Sequence, residues 1–549
     1  MAETGSYAQP IIAPNAKSVT VTVDGKPVHM PEGSLLIQAC EQAGSPVPFY
    51  CYHPGLSIAG NCRICLVEIE GAKKTLEISC NIRVADGMRV KTTSDAVLEG
   101  RRSVLEYLLI NHPLDCPVCD QAGECWLQDY YMEHGLYDQK FDEQKEKKPK
   151  KVPIGPTVML DAERCILCSR CVRFTDEISK TGEFGIFKRG DHSQIGLFPG
   201  KELTNNYSGN VVDICPVGAL TDRDFRFKCR VWYLGATKSV CPGCSRGCNI
   251  EIHNNRERDW RTHIAQGARV MRLKPRYNPD VNQWWMCDAG RYGYKSIDAH
   301  RLTDVHVRTN GTLERSSWES GLAAVTAGLQ QLRDAKRLDQ VGVILSSYMT
   351  NENLFVAKRF FEALGVTSIA FARPREGESD TLLIQADKSP NTRGATALGI
   401  TEGAEGLVAQ AAKGALRVLF VFVQDLTQLI EEATVRRAAE ALELLVFIGT
   451  NTNTTADLAH VVLPSAVYAE QEGTFTNFEG RVQRVRAALD AMGDAQPEWQ
   501  ILAALSSRLD LGVQAVDAAS LFADMGKTEH AFKGLTYDVV GDQGAMLTA

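Results

Sequence analysis

The placement of its cysteines constrains this chain more than any other feature. Fifteen of the 17 cysteines fall into four groups, a histidine completes one group, and no cysteine follows Cys287. The groups are Cys51/Cys62/Cys65/Cys80, His112/Cys116/Cys119/Cys125, Cys165/Cys168/Cys171/Cys215 and Cys241/Cys244/Cys248/Cys287. These side chains suffice for four four-coordinate iron–sulfur centres. A chain that carries four redox centres in a row is expected to transfer electrons.

Composition excludes several other classes of protein. The 549 residues exceed what one hydrophobic core supports, so we expect several domains. A net charge of −7 gives no reason to expect nucleic acid as a partner. Apolar runs such as Val418–Val423 are too short to span a bilayer, and MAETGSYAQP lacks the regions of a signal peptide. We therefore expect a cytoplasmic chain that reaches a membrane only through partner proteins.

The odd number of cysteines argues against a disulfide framework. In a chain without a secretion signal, thiolates that lie close together are more readily held by metal. Two cysteines remain outside the four groups. Cys40 falls on the apolar face of a predicted helix, and Cys229 lacks a partner at ligand spacing. We interpret both as structural cysteines.

The first hundred residues predict a small β-grasp ferredoxin unit. Ser18–Met30 alternates polar and apolar residues around an Asp-Gly turn, which is typical of a hairpin. Ser34 is expected to cap a helix over Leu35–Ala43. Strands are predicted at Leu66–Glu70 and Thr75–Ser79. Residues 95–135 are predicted to be helical, and Phe141–Lys151 to be a solvated charged connector.

The character of the chain changes after about residue 300. Strands are predicted at Val341–Leu345, Val366–Phe371, Val418–Val423 and Leu445–Gly449. Helices are predicted between them, at Glu352–Leu364 and Ala433–Leu442. This alternation indicates an α/β domain with a parallel sheet covered on both faces.

The four groups differ in their spacing and in the metal they favour. The first, C-x10-C-x2-C-x14-C, has a longer first loop than plant-type [2Fe–2S] ferredoxins, and a zinc ribbon is the alternative. The second, H-x3-C-x2-C-x5-C, is compatible with an iron–sulfur cluster or with Cys₃His zinc. The third closely matches the bacterial [4Fe–4S] spacing. The fourth is also [4Fe–4S]-like, with 38 residues between its third cysteine, Cys248, and Cys287.

In this order, the motifs resemble a known family. A ferredoxin-like site followed by HPLDCPVCDQAGEC and CILCSRC…DICPVGAL resembles the large iron–sulfur subunit of complex I-type NADH-quinone oxidoreductases. The group CPGCSRGC…C and the segment Asn451–Arg484 resemble the molybdopterin oxidoreductases. The resemblance covers essentially the whole chain.

The resemblance implies a multidomain fold, α+β and then α/β. The expected domains are a β-grasp [2Fe–2S] domain (1–95), a His-Cys₃ [4Fe–4S] segment (96–150), a ferredoxin-like [4Fe–4S] domain (151–232), a fourth [4Fe–4S] region (233–300) and a shortened molybdopterin-oxidoreductase-like domain (301–549). Catalytic molybdenum enzymes bind their metal through a residue, often cysteine, beyond the iron–sulfur segment. No cysteine follows Cys287, so we expect no molybdenum cofactor.

The resemblance also implies a role in a larger enzyme. The first three sets would pass single electrons from an NADH- and FMN-binding subunit towards quinone-side iron–sulfur subunits of a proton-pumping NADH dehydrogenase, with the fourth set off the path. The complex would lie peripherally on the cytoplasmic membrane. No nucleic acid partner, membrane span or catalytic residue is expected in this chain, and no G-x-G-x-x-G dinucleotide motif is present.

Three alternatives share part of the pattern. A molybdenum enzyme such as formate dehydrogenase can carry a similar ferredoxin array, but the cysteine-free tail disfavours it. An iron-only hydrogenase needs further cysteines that this chain lacks. The electron-entry subunit of a soluble NAD-reducing hydrogenase differs from the leading interpretation mainly in lacking a long α/β tail.

Overall fold

A computed structural model describes residues 12, 15–135, 140–255, 269–373 and 376–548. The amino-terminal decapeptide that argues against a signal peptide lies outside these residues. The chain divides into two compact units, Met1–Tyr233 and Leu234–Ala549. No helix in the described ranges is both long and apolar enough to span a membrane.

A mixed sheet and one helix open the first unit, as predicted. Its elements are β1 Ser18–Val23, β2 Lys26–Pro31, α1 Leu36–Gln42, β3 Leu66–Ile69, β4 Glu77–Ile78 and β5 Arg89–Lys91. The strand order is β2-β1-β5-β3-β4; the β1–β5 pair is parallel and the other pairs are antiparallel. The hairpin turns at Asp24-Gly25, where both residues have positive φ.

The predicted cap of α1 is wrong by one residue. Leu35 occupies the N-cap position. The Ser34 hydroxyl instead donates a hydrogen bond to the Pro31 carbonyl at 2.7 Å. The capping acceptor is the Gln38 side chain, whose Oε1 accepts from the Leu35 amide at 3.0 Å. The side chain that accepts a hydrogen bond at the start of α1 is therefore that of Gln38, within the first turn, and not that of Ser34.

The rest of the first unit contains short elements separated by loops. They are α2 Asp95–Leu109, α3 Trp126–His134, β6 Val152–Pro153, β7 Val158–Leu160, α4 Arg170–Glu177, β8 Phe184–Phe187, β9 Gln194–Leu197, α5 Asn210–Asp213 and β10 Leu220–Asp222. Strands β10-β7-β6 form one small sheet, and β8 and β9 form a hairpin. The predicted helical stretch 95–135 is therefore interrupted around the second ligand group.

The charged connector Phe141–Lys151 contains no helix or strand, but it is less solvated than predicted. The Lys145 ammonium donates to the carbonyls of Leu109 (2.9 Å) and Ile110 (2.7 Å) at the end of α2. Lys150 donates to the Asp115 carboxylate at 2.5 Å. Carbonyls at a helix C-terminus lack intrahelical partners and attract cations, so the lysines attach this segment to the protein.

A three-stranded antiparallel sheet and a short helix open the second unit. They are β11 Leu234–Val240, β12 Asn249–Asn255, β13 Val270–Pro275 and α6 Asp288–Tyr292. The fourth group of cysteines lies on the β11–β12 connection and at the start of α6. The sheet therefore positions this group.

The predicted α/β domain follows. Its elements are β14 Val305–Thr309, β15 Thr312–Ser316, α7 Trp318–Asp334, β16 Val341–Ser346, α8 Asn351–Leu364, β17 Ser368–Ala372, α9 Thr392–Ala397, β18 Thr401–Glu402, α10 Ala404–Ala412, β19 Val418–Phe422, α11 Glu432–Ala441, β20 Leu444–Gly449, α12 Thr454–Leu458 and β21 Val461–Pro464. The strand order is β15-β14-β21-β20-β19-β16-β17-β18, parallel from β21 to β18.

Alternating residues of the central strands serve two cores. On β16, Val343 and Leu345 pack with α7 and α8, while Ile344 packs on the other face with α10 and α11. Both faces are therefore covered, which confirms the predicted fold class and explains the continuous apolar strands. The chain ends in β22 Gly473–Thr476, β23 Arg481–Val485, α13 Glu498–Leu509, α14 Ala518–Thr528, α15 Tyr537–Val540 and β24 Ala545–Met546.

Candidate metal centres

The first ligand group is assembled by loops around the amino-terminal sheet. Cys51 follows α1, Cys62 and Cys65 precede β3, and Cys80 lies in the 3₁₀ turn Ser79–Asn81. The Cys51 amide donates to the Cys62 sulfur at 3.5 Å. Hydrogen bonds from the thiols of Cys62 and Cys80 lower the pKa of Cys51. The structure therefore brings all four thiols together.

This thiol set fits a metal group. Cys51, Cys65 and Cys80 are each 1% exposed. A hydrogen bond from Cys80 lowers the pKa of Cys65, while hydrogen bonding to Cys51 and burial raise the pKa of Cys62. Three buried sulfurs and the partly buried sulfur of Cys62 lie within hydrogen-bonding range. They can bear thiolate charge together only if a cation offsets it, and iron bound as a cluster does so.

The second group lies between α2 and α3. Cys116 begins a 3₁₀ turn, Cys119 ends it, and Cys125 is the N-cap residue of α3. Burial raises the pKa of Cys125 to about 11, although amides of the first turn of α3 donate to its sulfur. Cys116 and Cys119 are close enough to Cys125 to raise its pKa electrostatically. The structure therefore gathers the three cysteines.

His112 precedes this turn as a neutral imidazole. Burial first, and then Arg164 and Lys145, lower its pKa to about 4. Neutral imidazole is the form that binds metal. His112 makes no hydrogen bond with the three thiols in the described part of the chain, and Arg164 adjoins both His112 and Cys119.

The third group lines a cavity before and within α4. The cavity is walled by Cys165, Cys168, Cys171 and Cys215 together with Ile166, Ser169, Arg170, Ile195, Val217, Ala219 and Leu220. The cysteine loop turns through left-handed residues, Leu167 (φ 55°) and Ser169 (φ 61°). The Leu167 amide donates to the Cys165 sulfur at 3.4 Å. The distant Cys215, predicted to belong to this group, lies with the other three.

The chemistry of this cavity also fits a cluster. Burial raises the pKa of Cys165 and of Cys215 to about 12, and it raises those of Cys168 and Cys171. Main-chain amides of Val217, Ala219 and Leu220 face the Cys215 sulfur. Thiols in such a site ionise only with a bound cation, and the amides are suited to stabilise sulfur charge.

The fourth group is completed by Cys287, the ligand that spacing alone supports least. Cys287 is the N-cap residue of α6, and its sulfur accepts from the Gly290 amide at 3.3 Å. A Cβ atom at Gly290 would lie 2.9 Å from the Cys241 sulfur and 3.5 Å from that of Cys287. The charges of Cys241, Cys244 and Cys287 each raise the pKa of Cys248 after burial. The four residues therefore lie together.

The two remaining cysteines lie outside these groups. Cys40 is fully buried in the core beneath the amino-terminal sheet, and burial raises its pKa to about 12. Cys229 is 8% exposed, and its thiol donates to the Arg230 carbonyl at 3.4 Å. Both environments are consistent with structural cysteines.

One apolar cluster joins the first three groups. Buried Cys51 and Cys168 belong to it, together with Tyr50, Leu127 and Val217. Cysteines of all three groups also pack against it, namely Cys62, Cys125, Cys165 and Cys215. At least one cysteine of each of the three groups therefore packs in one apolar cluster of the first unit, whereas Cys116 of the second group is exposed.

Sequence reasoning missed the glycines that make room for sulfur. A Cβ atom at Gly218 would overlap the Cys119 sulfur. Gly218 lies three residues after Cys215, so the segment from the third group packs on the second. The Trp126 amide likewise donates to the Pro216 carbonyl at 3.0 Å. The motif Cys-Pro-Val-Gly is visible in the sequence, but nothing in the sequence shows that its glycine packs against the Cys119 sulfur.

Five family models match successive stretches of the chain. They are a 2Fe-2S iron-sulfur cluster binding domain (16–95), the NADH-ubiquinone oxidoreductase-G iron-sulfur binding region (101–140), the ferredoxin-like domain of NADH-quinone oxidoreductase subunit 3 (155–221), the molybdopterin oxidoreductase Fe4S4 domain (235–299) and molybdopterin oxidoreductase (384–508).

A full-length relative decides the family. The mitochondrial 78 kDa subunit of NADH-ubiquinone oxidoreductase from Neurospora crassa is 32% identical over 98% of this chain and 87% of its own length. The chain belongs to this family. The G subunit of NADH-quinone oxidoreductase from Rickettsia bellii is 37% identical over 63% of this chain and 48% of its own length. Membership in this family makes the chain an electron-transfer iron–sulfur subunit of an oxidoreductase complex, which confirms the resemblance.

Two further relatives complete the comparison. The potato mitochondrial iron-sulfur protein 1 of NADH dehydrogenase [ubiquinone] is 40% identical over 65% of this chain and 46% of its own length. The chain thus spans about half the length of the Rickettsia and potato relatives. A chain in the crystal structure of NAD+-reducing [NiFe]-hydrogenase in the H2-reduced state matches 39% of this chain and 92% of its own length. The sequence identity is 28% and the TM-score is 0.35.

Proposed function

We propose that this subunit holds one [2Fe–2S] and three [4Fe–4S] clusters. The [2Fe–2S] ligands are Cys51, Cys62, Cys65 and Cys80. The [4Fe–4S] ligands are His112/Cys116/Cys119/Cys125, Cys165/Cys168/Cys171/Cys215 and Cys241/Cys244/Cys248/Cys287. The burial of most of these thiols and their proximity to one another within each set support these assignments.

The proposed path uses the first three sets. Clusters held there would transfer single electrons from an NADH- and FMN-binding subunit towards quinone-side iron–sulfur subunits of a proton-pumping complex. The observation that carries this proposal is the apolar cluster shared by cysteines of the three sets. The fourth set belongs to the second unit, and we assign it off the path.

The chain's own residues would tune and shield these centres. Amides of Leu167, Gly243 and Gly290 donate to cysteine sulfurs at 3.3–3.4 Å, and such hydrogen bonds stabilise the charge that reduction adds. His112 would supply a neutral ligand in place of a thiolate, which raises the potential of a cluster. Apolar side chains of Ile166, Ile195 and Val217 line the cavity of the third set.

We further propose the domain limits 1–95, 96–150, 151–232, 233–300 and 301–549. The last domain would contribute structure and contacts without a molybdenum cofactor, since no cysteine follows Cys287. The complex would lie on the cytoplasmic face of the membrane, held there by other subunits.

Matched cysteine variants test the ligand assignment. Cys171→Ala should abolish one [4Fe–4S] signal in low-temperature EPR of the anaerobically prepared protein. Cys40→Ala removes a buried thiol outside the four sets and should leave every signal in place. His112→Cys should shift one signal alone. Loss of a signal in Cys40→Ala, or its survival in Cys171→Ala, would refute the ligand sets.

Co-purification tests the partners. A tagged chain isolated under mild detergent should retain an NADH- and flavin-binding subunit together with membrane-embedded subunits. Recovery of only hydrogenase partners would show that it serves a soluble NAD-reducing hydrogenase instead.

A further inference from the structure

A buried arginine lies between the first and third ligand sets. Arg170 of α4 donates through Nη1 to the Ile214 carbonyl at 3.0 Å, and Ile214 directly precedes Cys215. Its Nη2 donates to the carbonyl of Tyr52, which directly follows Cys51. One guanidinium therefore joins the main chain beside a ligand of each set.

A second arginine, one turn further along α4, contacts the ligands' own main chain. Nη2 of Arg173 donates to the Cys51 carbonyl at 2.5 Å and to the Cys168 carbonyl at 3.4 Å. Its Nη1 donates to the Ser57 carbonyl, and its Nε to the Ser169 hydroxyl at 3.3 Å. Arg173 thus bridges the same two sets as Arg170.

Within the described residues, no carboxylate pairs with either arginine. All their hydrogen-bond acceptors in those ranges are carbonyls or a hydroxyl. Arg170 is 2% exposed, its Nε has no partner among the described residues, and its guanidinium carbon lies 4.6 Å from the Trp126 ring centre. A buried cation without a carboxylate partner is costly. The charges that favour the protonated Arg170 come from Cys168, Cys215 and Cys51, which are ligands of the third and first sets.

We propose that Arg170 and Arg173 set the reduction potentials of the first and third centres by placing between them two positive charges that no carboxylate of the described residues pairs with. The inference rests on the proposed function, since it requires clusters in both sets. Thiolate-bound clusters become more negative on reduction, and a nearby cation in a water-poor site stabilises the reduced state more than the oxidised state. Both arginines act on the clusters through their charge and are not ligands, and Arg170 also lines the cavity of the third set.

Charge-deletion variants in the intact cluster-loaded protein test this role. Midpoint potentials are measured by EPR-monitored redox titration in Arg170→Gln, Arg170→Lys, Arg173→Gln and Arg83→Gln. Arg83 is an exposed arginine of the same unit, so its removal controls for net charge. Iron content and the number of signals are recorded in parallel.

We expect Arg170→Gln to lower the potentials of the first and third centres together, while Arg83→Gln leaves them unchanged. Arg170→Lys should restore them towards the wild-type values because it keeps the charge. Arg173→Gln should lower both by less, since Arg173 is partly exposed. Wild-type potentials in a fully iron-loaded Arg170→Gln, or an equal shift in Arg170→Lys, would overturn the proposal.

A structural failure of one variant does not remove the test. If Arg170→Gln loses iron, Arg173→Gln decides, and unchanged potentials there would overturn the proposal. If the wild-type protein itself lacked the first and third signals, the proposed function would fail before any potential was measured. The two failures are thus distinguishable.

Discussion

Residues 96–233 and residues 301–549 are stabilised by different means. The first region has short helices and strands, and its apolar cluster is built largely from cysteines and the residues beside them. The second has an eight-stranded sheet in its described part, with large apolar cores on both faces. Hydrophobic burial can therefore stabilise the second region alone, whereas the first is expected to need metal.

Removal of iron should cause the largest difference between the two regions, because it should destabilise residues 96–233 and leave residues 301–549 folded. Chelation under reducing conditions is expected to expose the amides of α3 and α4, because the thiols around them would lose the cation that offsets their charge. The amides of β16 and β19 should stay protected. Hydrogen exchange read by mass spectrometry measures both regions in one sample. Equal protection of the α4 amides with and without iron would show that residues 96–233 do not need metal for their stability.

A methyl group at Gly218 should cause the next largest effect. Gly218→Ala places a Cβ atom against the Cys119 sulfur, so the second centre is expected to be lost or distorted. Gly406 has open space around it and lies in α10, so Gly406→Ala is the control. Iron analysis and EPR compare the two. An unchanged second signal in Gly218→Ala would show that the segments do not meet as described.

Truncation of an aromatic side chain in the core of the second unit should lower the unfolding free energy of that unit without changing the iron content of the protein. Phe361 is fully buried and lies 5.0 Å from Phe420, centroid to centroid. Phe361→Ala should lower the unfolding free energy of the second unit by about 3–5 kcal/mol. Phe361→Leu should lower this free energy by less than Phe361→Ala, because it leaves a smaller cavity. Denaturant unfolding followed in the second unit measures the loss, and a parallel loss of iron from the first unit would contradict the separation.

The smallest expected effect concerns pH. Burial raises the pKa of Glu352 and of Glu498 to about 7, well above the usual carboxyl range. Between about pH 4.5 and 7, the folded state thus binds more protons than the unfolded state, and stability falls as pH rises. The unfolding free energy of the second unit should fall by a few kcal/mol across this window. Glu498→Gln should reduce the slope; an unchanged slope would rule out Glu498.

Local patterns carried most of the predictions that held. The alternation after residue 300 predicted strands at Val341–Leu345 and Leu445–Gly449, and the structure has them within one residue. These two strand predictions hold because a strand that is buried on both faces of the sheet needs an unbroken run of apolar residues. The structure places the distant Cys215 and Cys287 beside the cysteines with which their spacing grouped them, and their role as ligands stays a prediction.

Contacts between distant segments were not predictable from the sequence. Arg170 meets a carbonyl 118 residues away, and Gly218 leaves room for a sulfur of a different ligand group. The connector around Lys145 and Lys150 has the composition of a solvated loop, yet its ammonium groups reach carbonyls and carboxylates of the folded unit. Such contacts depend on tertiary placement, which spacing and composition do not encode.

Metal content together with EPR tests the central claim most directly. The intact protein, prepared anaerobically, should contain about 14 irons per chain and no molybdenum, and on reduction should show one [2Fe–2S] and three [4Fe–4S] signals. Zinc in place of iron at any set, stoichiometric molybdenum, or fewer than four distinguishable centres at full reduction would contradict the account.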